Sequence, residues 1–517
     1  MKKIKYIFSS KYFIPFLFFI IFFIIGIRVY RDFGLHWDSL SQYELGKINF
    51  EYLFKGSAEL KSYPYRYYGP IFEIVLYSVT KMLPMREMFF TQHLLSFLYF
   101  FCGIVCFYYL LLRIFDDWQI ALSGCIFLAL SPRIFAESFY NTKDIPFMVA
   151  FIFAITSLTS LGQKINLRNI LFHSLSSAIM ISIRLNGVLI LVISAISFIC
   201  ISYAANQSQS KTKLLSYFIL YVFIAVGLTV IFFPTFQSNP FTELINGLKS
   251  LSHFPWSGGM VLFRGAMIDA AKLPWYYIPT WVLITTPIMI SLFFTIGGIG
   301  LTFTFVKNPS EFLKNKHQFV VIMLWLFLPV AAVILLKSVL YDGWRHLYFI
   351  FPAFIIIALY GLKIFGNTVL RKVTPPNRNT LLLFLSMLGM SFPMIFMIEN
   401  HPYEYVYFNA FAGRNYQEIK KRYEMDYWGL SYFQALGYLS HIEKSPNFQV
   451  YVDNTPGRLN AIMLPANQMQ RFTFVDNIDE ADYFVTNFRW HPAGFNYPTF
   501  FDIEVNGVGI NTIYKLN

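Results

Sequence analysis

The chain has 517 residues, 56% hydrophobic and 20% aromatic but only 13% charged, with a mean hydropathy of +0.51. A soluble domain carries about a quarter charged residues, so there are too few charges here to cover a water-facing surface; disorder, collagen-like repeats and a disulfide-stapled secreted scaffold are excluded too. The formal net charge of +13 would suggest nucleic acid on a soluble protein, but on a polytopic membrane protein it first reports which way the loops face.

Runs of about 17–25 apolar residues cross a bilayer as helices, because each residue rises about 1.5 Å against about 30 Å of hydrocarbon. In chain order such runs fall at 12–28, 88–112, 118–134, 145–162, 169–183, 186–204, 214–233, 279–304, 318–337, 347–362 and 380–397, eleven in all. The segments 118–134 and 169–183 are short and carry polar residues. The run 67–84 is apolar but contains Glu73 and Lys81, which predicts a helix lying in the interface rather than spanning it.

With the N-terminus inside, the cytoplasmic segments hold Lys2, Lys3, Lys5, Lys11, Arg113, Lys164, Arg168, Lys211, Lys213, Lys307, Lys314, Lys316, Lys363, Arg371, Lys372 and Arg378. The short external loops hold only Arg133, Lys143, Arg184, Lys337 and Arg345. This bias orients the N-terminus inward and, with an odd helix count, the C-terminus outward. Only Asp116, Asp117 and Glu311 fall on the inner side, so the whole +13 excess lies there and no basic surface is left for nucleic acid. The first hydrophobic run is long and lacks a small-residue cleavage site, so it reads as an uncleaved helix. Cys102, Cys106, Cys125 and Cys200 all fall within helices and show no metal spacing.

The expected division is a membrane domain over 1–398, with an external loop at 30–87, and a small external α/β domain over 399–517. Strand-like runs FQVYVDN, RFTFVDN and EADYFVTNF, with a helix-like RLNAIMLPANQ between the first two, support that reading of the tail.

Ionisable groups at membrane depth cost a few kcal/mol even on lenient scales, about 2.5–3.5 kcal/mol at mid-helix, and persist where they face a cavity. Four clusters sit at external helix ends. The first is HWDSLSQYELG, with Asp38. The second is SPRIFAESFYNTKDIPFM, with Arg133, Glu137, Asn141, Lys143 and Asp144. The third is SIRLNG, with Arg184, and the fourth is YDGWRHLYF, with Asp342, Arg345 and His346. Each has a structural alternative: helix capping for Asp38 and for the Lys143–Asp144 pair, interface anchoring for Arg184 and Arg345, and ordinary hydrogen bonding for His346 and His401. Together, several carboxylates and cations on one face point to an anionic substrate worked on by a carboxylate base.

Five stretches, HWDSLSQYELG, FAESFYNTKDIPFM, LPWYYIPTWVLITTP, HPYEYVYFNAFAG and MDYWGLSYFQALGYL, spread over about residues 36–439, make the chain resemble bacterial members of the GT-C superfamily. The resemblance is close to glycosyltransferase family 39, with the protein O-mannosyltransferases and the lipid A aminoarabinose transferases among its relatives. The resemblance implies a polytopic α-helical membrane enzyme, GT-C-like with about 11 spans, in the cytoplasmic membrane of a bacterium. It implies a polyprenyl-phosphate sugar as donor and inversion at the anomeric carbon. It maps the catalytic base of the first external loop onto Asp38, a second acidic residue onto Asp144, and basic residues onto Arg184 and Arg345. The mannosyltransferases carry two adjacent acidic residues in loop one, whereas Ser39 follows Asp38 here, a departure that leaves the sugar open and the acceptor a lipid, a glycan or a protein.

The expected catalytic residues are therefore Asp38 and Asp144. Lys143, Arg184 and Arg345 are expected to bind the donor phosphate, and Glu137, Asn141 and His346 the substrate. No cofactor or metal is expected, since no HExxH or paired-Asp spacing is present. The rival readings are a transporter or flippase of lipid-linked glycans and a membrane anchor presenting the tail domain.

Overall fold

The computed structural model describes residues 10–204, 211–252 and 259–516; Lys2, Lys3 and Lys5 of the orientation argument lie outside them. All eleven apolar runs form helix, though not as eleven uninterrupted spans. Among the described residues nine helices are long and apolar enough to cross a membrane, and a bent pair makes a tenth.

The run 118–134 is that pair. Asp117 caps its start by accepting the Gln119 and Ile120 N–H groups at 2.9 Å. The helix Trp118–Ala129 then stops, and Pro132–Tyr140 departs at 66°. Pro132 lacks the N–H that would continue the first ladder, but it suits the first position of a new helix. The same logic breaks 279–304 into Tyr277–Thr285 and Ile288–Lys307 at Pro287.

Leu167–Ile183 has only 17 residues, yet it returns across the layer its predecessor crosses. Asp144–Gln163 rises about 30 Å and Leu167–Ile183 comes back about 25 Å, so that Arg184 ends 2.6 Å from Asp144. Its buried His173 is satisfied inside the bundle, bonding Ser157 at 2.8 Å and Ser194 at 2.9 Å.

The helix Arg345–Val369 is the most buried of the nine long spans. It packs on Ile288–Lys307 so closely that a Cβ on Gly297 would lie 2.0 Å from the Ile357 carbonyl oxygen, and one on Gly361 2.0 Å from that of Phe293. Such small-residue seams join helices in lipid, where burying apolar surface gives little. The outer faces expose Phe223, Phe303 and Phe392, as lipid-facing helices do.

The helix Ile71–Thr80 lies within the run expected in the interface, but Glu73 faces inward rather than to water. It is buried and accepts the Thr142 hydroxyl at 2.7 Å.

The tail builds a small sheet domain. A short hairpin, β1 (Met260–Phe263) and β2 (Ala266–Asp269), stands apart from it. The five-stranded sheet contains β3 (Phe448–Val452), β4 (Phe472–Phe474), β5 (Tyr483–Thr486), β6 (Thr499–Val505) and β7 (Val508–Lys515), in the order β4-β3-β5-β7-β6. β3 pairs in parallel with β4 and β5, while β5–β7 and β6–β7 are antiparallel. The three expected strands are β3, β4 and β5; the β6–β7 hairpin is additional. Asn506 and Gly507 turn it with φ of 49° and 73°, the left-handed pair that a two-residue hairpin turn requires.

Candidate active site

At one end of the bundle lies a cavity of about 540 Å³. Asp38, Asn141, Lys143, Arg184, Arg345 and His346 all line it. The loop carrying Asp38 is tied down by residues far along the chain. Asn460 accepts the Leu35 N–H at 2.7 Å and donates to the Leu35 carbonyl at 2.8 Å. Gln434 donates to the Asp32 carbonyl, and His401 bonds the Asp32 carboxylate at 3.0 Å. Next to Asp38, buried His36 donates from Nε2 to the Tyr140 carbonyl at 3.0 Å, and its Nδ1 accepts the Asp38 N–H at 3.2 Å. Burial, with Arg345 nearby, lowers the His36 pKa to about 3, so the ring is neutral and fixes that turn.

Asp38 stands at the N-cap of the helix Ser39–Lys55, yet its carboxylate makes no capping bond. The side chain is 39% exposed and lies 3.6 Å from Arg345 Nη2. The capping alternative therefore does not describe its carboxylate.

Asp144 is placed differently. Its side chain is 1% exposed; one oxygen lies 2.6 Å from Arg184 Nη1, and the other lies 3.2 Å from Arg345 Nη1 and accepts Asn141 Nδ2 at 2.9 Å. It does not line the cavity. Asn141 takes the capping role instead, its oxygen accepting the Lys143 and Asp144 N–H groups.

Behind this, Glu137 is fully buried and accepts from Asn141 at 2.7 Å, Tyr348 at 2.7 Å and Tyr427 at 2.9 Å. The expectation of a substrate contact from Glu137 is corrected on this geometry: its oxygens are occupied and it does not reach the cavity. Lys143 lines the cavity, with its ammonium donating to the Gly69 carbonyl at 2.8 Å. Arg133, from the same cluster, is elsewhere; it donates to the Tyr407 carbonyl and lies over the rings of Phe408 and Trp281.

The central group is Arg345. It bridges Asp144 with Nη1, and with Nη2 it approaches both Asp38 and Asp342, the latter at 3.3 Å. Its guanidinium lies over Trp428 at 4.5 Å and Tyr341 at 4.9 Å. Asp342 also pairs with Arg489 at 2.8 Å, so the ions alternate in a row: Arg184, Asp144, Arg345, Asp342, Arg489. Beyond Arg184 the wall turns apolar, through Leu185, Val188, Leu189, Pro329, Ala332 and Val333.

Among the described residues no group of three or more His, Cys, Asp or Glu is arranged to hold a metal ion.

The HPYEYVYFN and DYWG stretches build the frame of this site. Tyr405 donates to Asp426 at 2.6 Å, and Asp426 accepts the Gly429 N–H at 2.9 Å. Burial pushes the Asp426 pKa up to about 6 against the bonds from Ser431 and Tyr405. Trp428, held by that turn, forms the wall beneath Arg345. Arg489 was not foreseen; its signal was a charged residue set between Phe488 and Trp490 just after β5.

No protein-family model matches the chain, and no curated protein matches it. Among solved structures it is similar to ArnT from Cupriavidus metallidurans bound to undecaprenyl phosphate, at 12% identity with a TM-score of 0.51 over 98% of each chain. The apo form of that protein aligns over 96% of this chain and 97% of its own, at 12% identity and a TM-score of 0.47. The likeness to the lipid-bound form extends over nearly the full length of both chains, and at this identity it establishes architecture: the chain shares the fold of that solved structure, a bundle of membrane-length helices with a small C-terminal sheet domain.

Proposed function

We propose that the chain is an inverting membrane glycosyltransferase that moves a sugar from a polyprenyl-phosphate donor to an acceptor hydroxyl at the outer face of a bacterial cytoplasmic membrane. One observation carries this reading: an uncapped, partly exposed Asp38 faces Arg345 in a cavity with one ionic wall and one apolar wall. Supporting it are the likeness in fold to an enzyme solved with undecaprenyl phosphate and the Lys/Arg bias that orients this end outward.

An acceptor hydroxyl has a high pKa, so its attack on the anomeric carbon is aided by a carboxylate that takes the proton. Asp38 is that base. The leaving group is a phosphate on a lipid, a stable anion that needs charge compensation rather than a proton. Arg345 and Arg184, with Lys143, provide it from fixed positions in a water-poor site. The apolar wall beyond Arg184 receives the start of the polyprenyl chain. Asp144 acts on neither reactant; it sets the two guanidinium groups side by side. His346 and Asn141 line the volume left for the sugar.

The proposed transfer uses no metal, because the phosphate's charge is met by guanidinium groups that are already in place. The test is turnover of a polyprenyl-phosphate sugar by the purified chain in detergent. Release of free polyprenyl phosphate that depends on Asp38 supports the reading. Movement of intact donor across a vesicle membrane, without cleavage, would favour a flippase and sink it.

A further inference from the structure

The sheet domain delivers a charged side chain into the cavity that this scheme leaves unused. Arg489 follows β5, and its side chain is 4% exposed. Both of its neighbours hold left-handed backbone, Phe488 at φ 61° and Trp490 at φ 64°, and so does Asp342 opposite, at φ 56°. For Phe and Trp side chains such geometry is strained and persists where the surroundings impose it. Here they do. The Trp490 indole N–H donates to the Met260 carbonyl at 3.0 Å, Arg489 donates to the Tyr427 carbonyl, and its guanidinium lies 4.9 Å from the Trp490 ring and 5.3 Å from that of Trp37. The strained turn thus points Arg489 Nη2 at Asp342 Oδ1, at 2.8 Å.

We propose that Arg489 is a positioning residue of the donor site: by holding Asp342, it keeps the Nη2 edge of Arg345 open toward Asp38 and the cavity. This rests on the reading that Arg345 receives the donor phosphate.

Asp342 meets two guanidinium groups through different oxygens, Arg489 through Oδ1 and Arg345 through Oδ2 at 3.3 Å. Without Arg489, both oxygens are free to close on Arg345 as a two-point fork, the favoured geometry for that pair. That closure occupies the N–H a phosphate needs, and the cavity also loses one positive charge. Asp38 is left in place, so the loss falls on donor binding and appears in KM rather than kcat. A small cavity of about 30 Å³ behind Arg489 is shared with the buried carboxyl of Glu424. Removing the cation therefore also strands Glu424, so a charge-retaining variant is needed beside the neutral one.

The experiment uses the full-length purified protein as wild type, Arg489→Gln, Arg489→Lys, Asp342→Asn and the Arg489→Gln/Asp342→Asn double variant. It measures the Kd for polyprenyl phosphate without sugar, the donor KM and kcat, and thermal melting. Arg489→Gln should weaken polyprenyl-phosphate binding about tenfold, the scale of one lost charge contact near water, with kcat within about twofold. Arg489→Lys should lose only about threefold, since an ammonium keeps the charge without the fork. Adding Asp342→Asn to Arg489→Gln should recover at least half of the lost affinity, because the closing carboxylate is gone. If Arg489→Gln does not fold, Arg489→Lys alone decides: affinity equal to wild type overturns the proposal. Unchanged affinity in Arg489→Gln, or a double variant as weak as the single with both melting lower, also overturns it in favour of a purely structural arginine. A wild-type protein that binds no polyprenyl phosphate would instead remove the glycosyl-transfer reading itself.

Discussion

Asp38→Asn separates chemistry from folding more cleanly than any other single change in this site. The substitution removes one charge and keeps the side chain's size. The lost carboxylate makes no capping bond, and Asn is as good as Asp at a helix N-cap. Its one ion pair is a 3.6 Å approach to Arg345 by a side chain 39% exposed; partly exposed pairs of this kind contribute about 0–1 kcal/mol. Arg345 keeps Asp144 and Asp342 as partners, so folding stability should move by no more than about 1 kcal/mol. Loss of a general base costs about 10²–10⁴ in rate, which is about 2.7–5.4 kcal/mol on the barrier. Donor affinity should stay level or tighten, because an anion beside the guanidinium proposed to bind the phosphate has gone. The assay is release of free polyprenyl phosphate at saturating donor and acceptor, with a melting curve in the same detergent. Turnover within about threefold of wild type, in protein that melts normally, would refute Asp38 as the base, since general-base catalysis is worth far more than that.

Asp144→Asn should behave in the opposite way: stranding Arg184 and half of Arg345 should cost about 3–5 kcal/mol of stability, and an unshifted melting curve would count against the role given to Asp144. Arg345→Lys keeps the charge but cannot bridge Asp144 and face Asp38 together, so donor KM should rise about tenfold, about 1.4 kcal/mol; an unchanged KM would dismiss Arg345 as the phosphate ligand. Ala332→Trp fills part of the apolar wall and should weaken a long-chain polyprenyl donor while sparing a short-chain one; equal effects on both would place the lipid elsewhere. For His401, burial lowers the pKa, but the hydrogen bonds it donates to the Asp32 and Glu404 carboxylates outweigh this and raise it to about 9, against an ordinary 6.5. The protonated form is the one favoured by folding, so its stabilisation is complete below about pH 6.5 and is lost as pH rises through about 9. The melting difference between wild type and His401→Gln should therefore be largest near pH 6 and vanish above pH 9; a pH-independent gap would show that the ion pairs play no part.

The helices were legible because lipid demands long apolar runs: each of the eleven runs is helical, although among the described residues nine helices, or ten with the bent pair, are long and apolar enough to cross a membrane. Their breaks were less so: Pro132 and Pro287 sit inside windows whose average hydropathy hides them, although proline's missing N–H marks both positions. The convergence of Asp38, Lys143, Arg184 and Arg345 was readable as charges recurring at helix ends on one side. What separates Asp38 from Asp144 was not, since exposure depends on neighbours from distant segments, and the two carboxylates look alike in one dimension. The β6–β7 hairpin was announced by Asn506-Gly507 between alternating apolar residues, a signal present but unread. Arg489 was the hardest to foresee, because its significance lies in Asp342, which is brought beside it only by the folded chain.

The alternating row of charges also bears on how the protein is made. Its members come from the helix Asp144–Gln163, the end of Leu167–Ile183, the start of Arg345–Val369 and the segment after β5, so the row closes only when the sheet has emerged and docked. Until then Asp342 has a single partner and the loop bearing Asp38 lacks its anchor on Asn460. A nascent chain halted before the sheet thus holds its membrane helices without the complete ionic row, which closes only when Arg489 reaches Asp342.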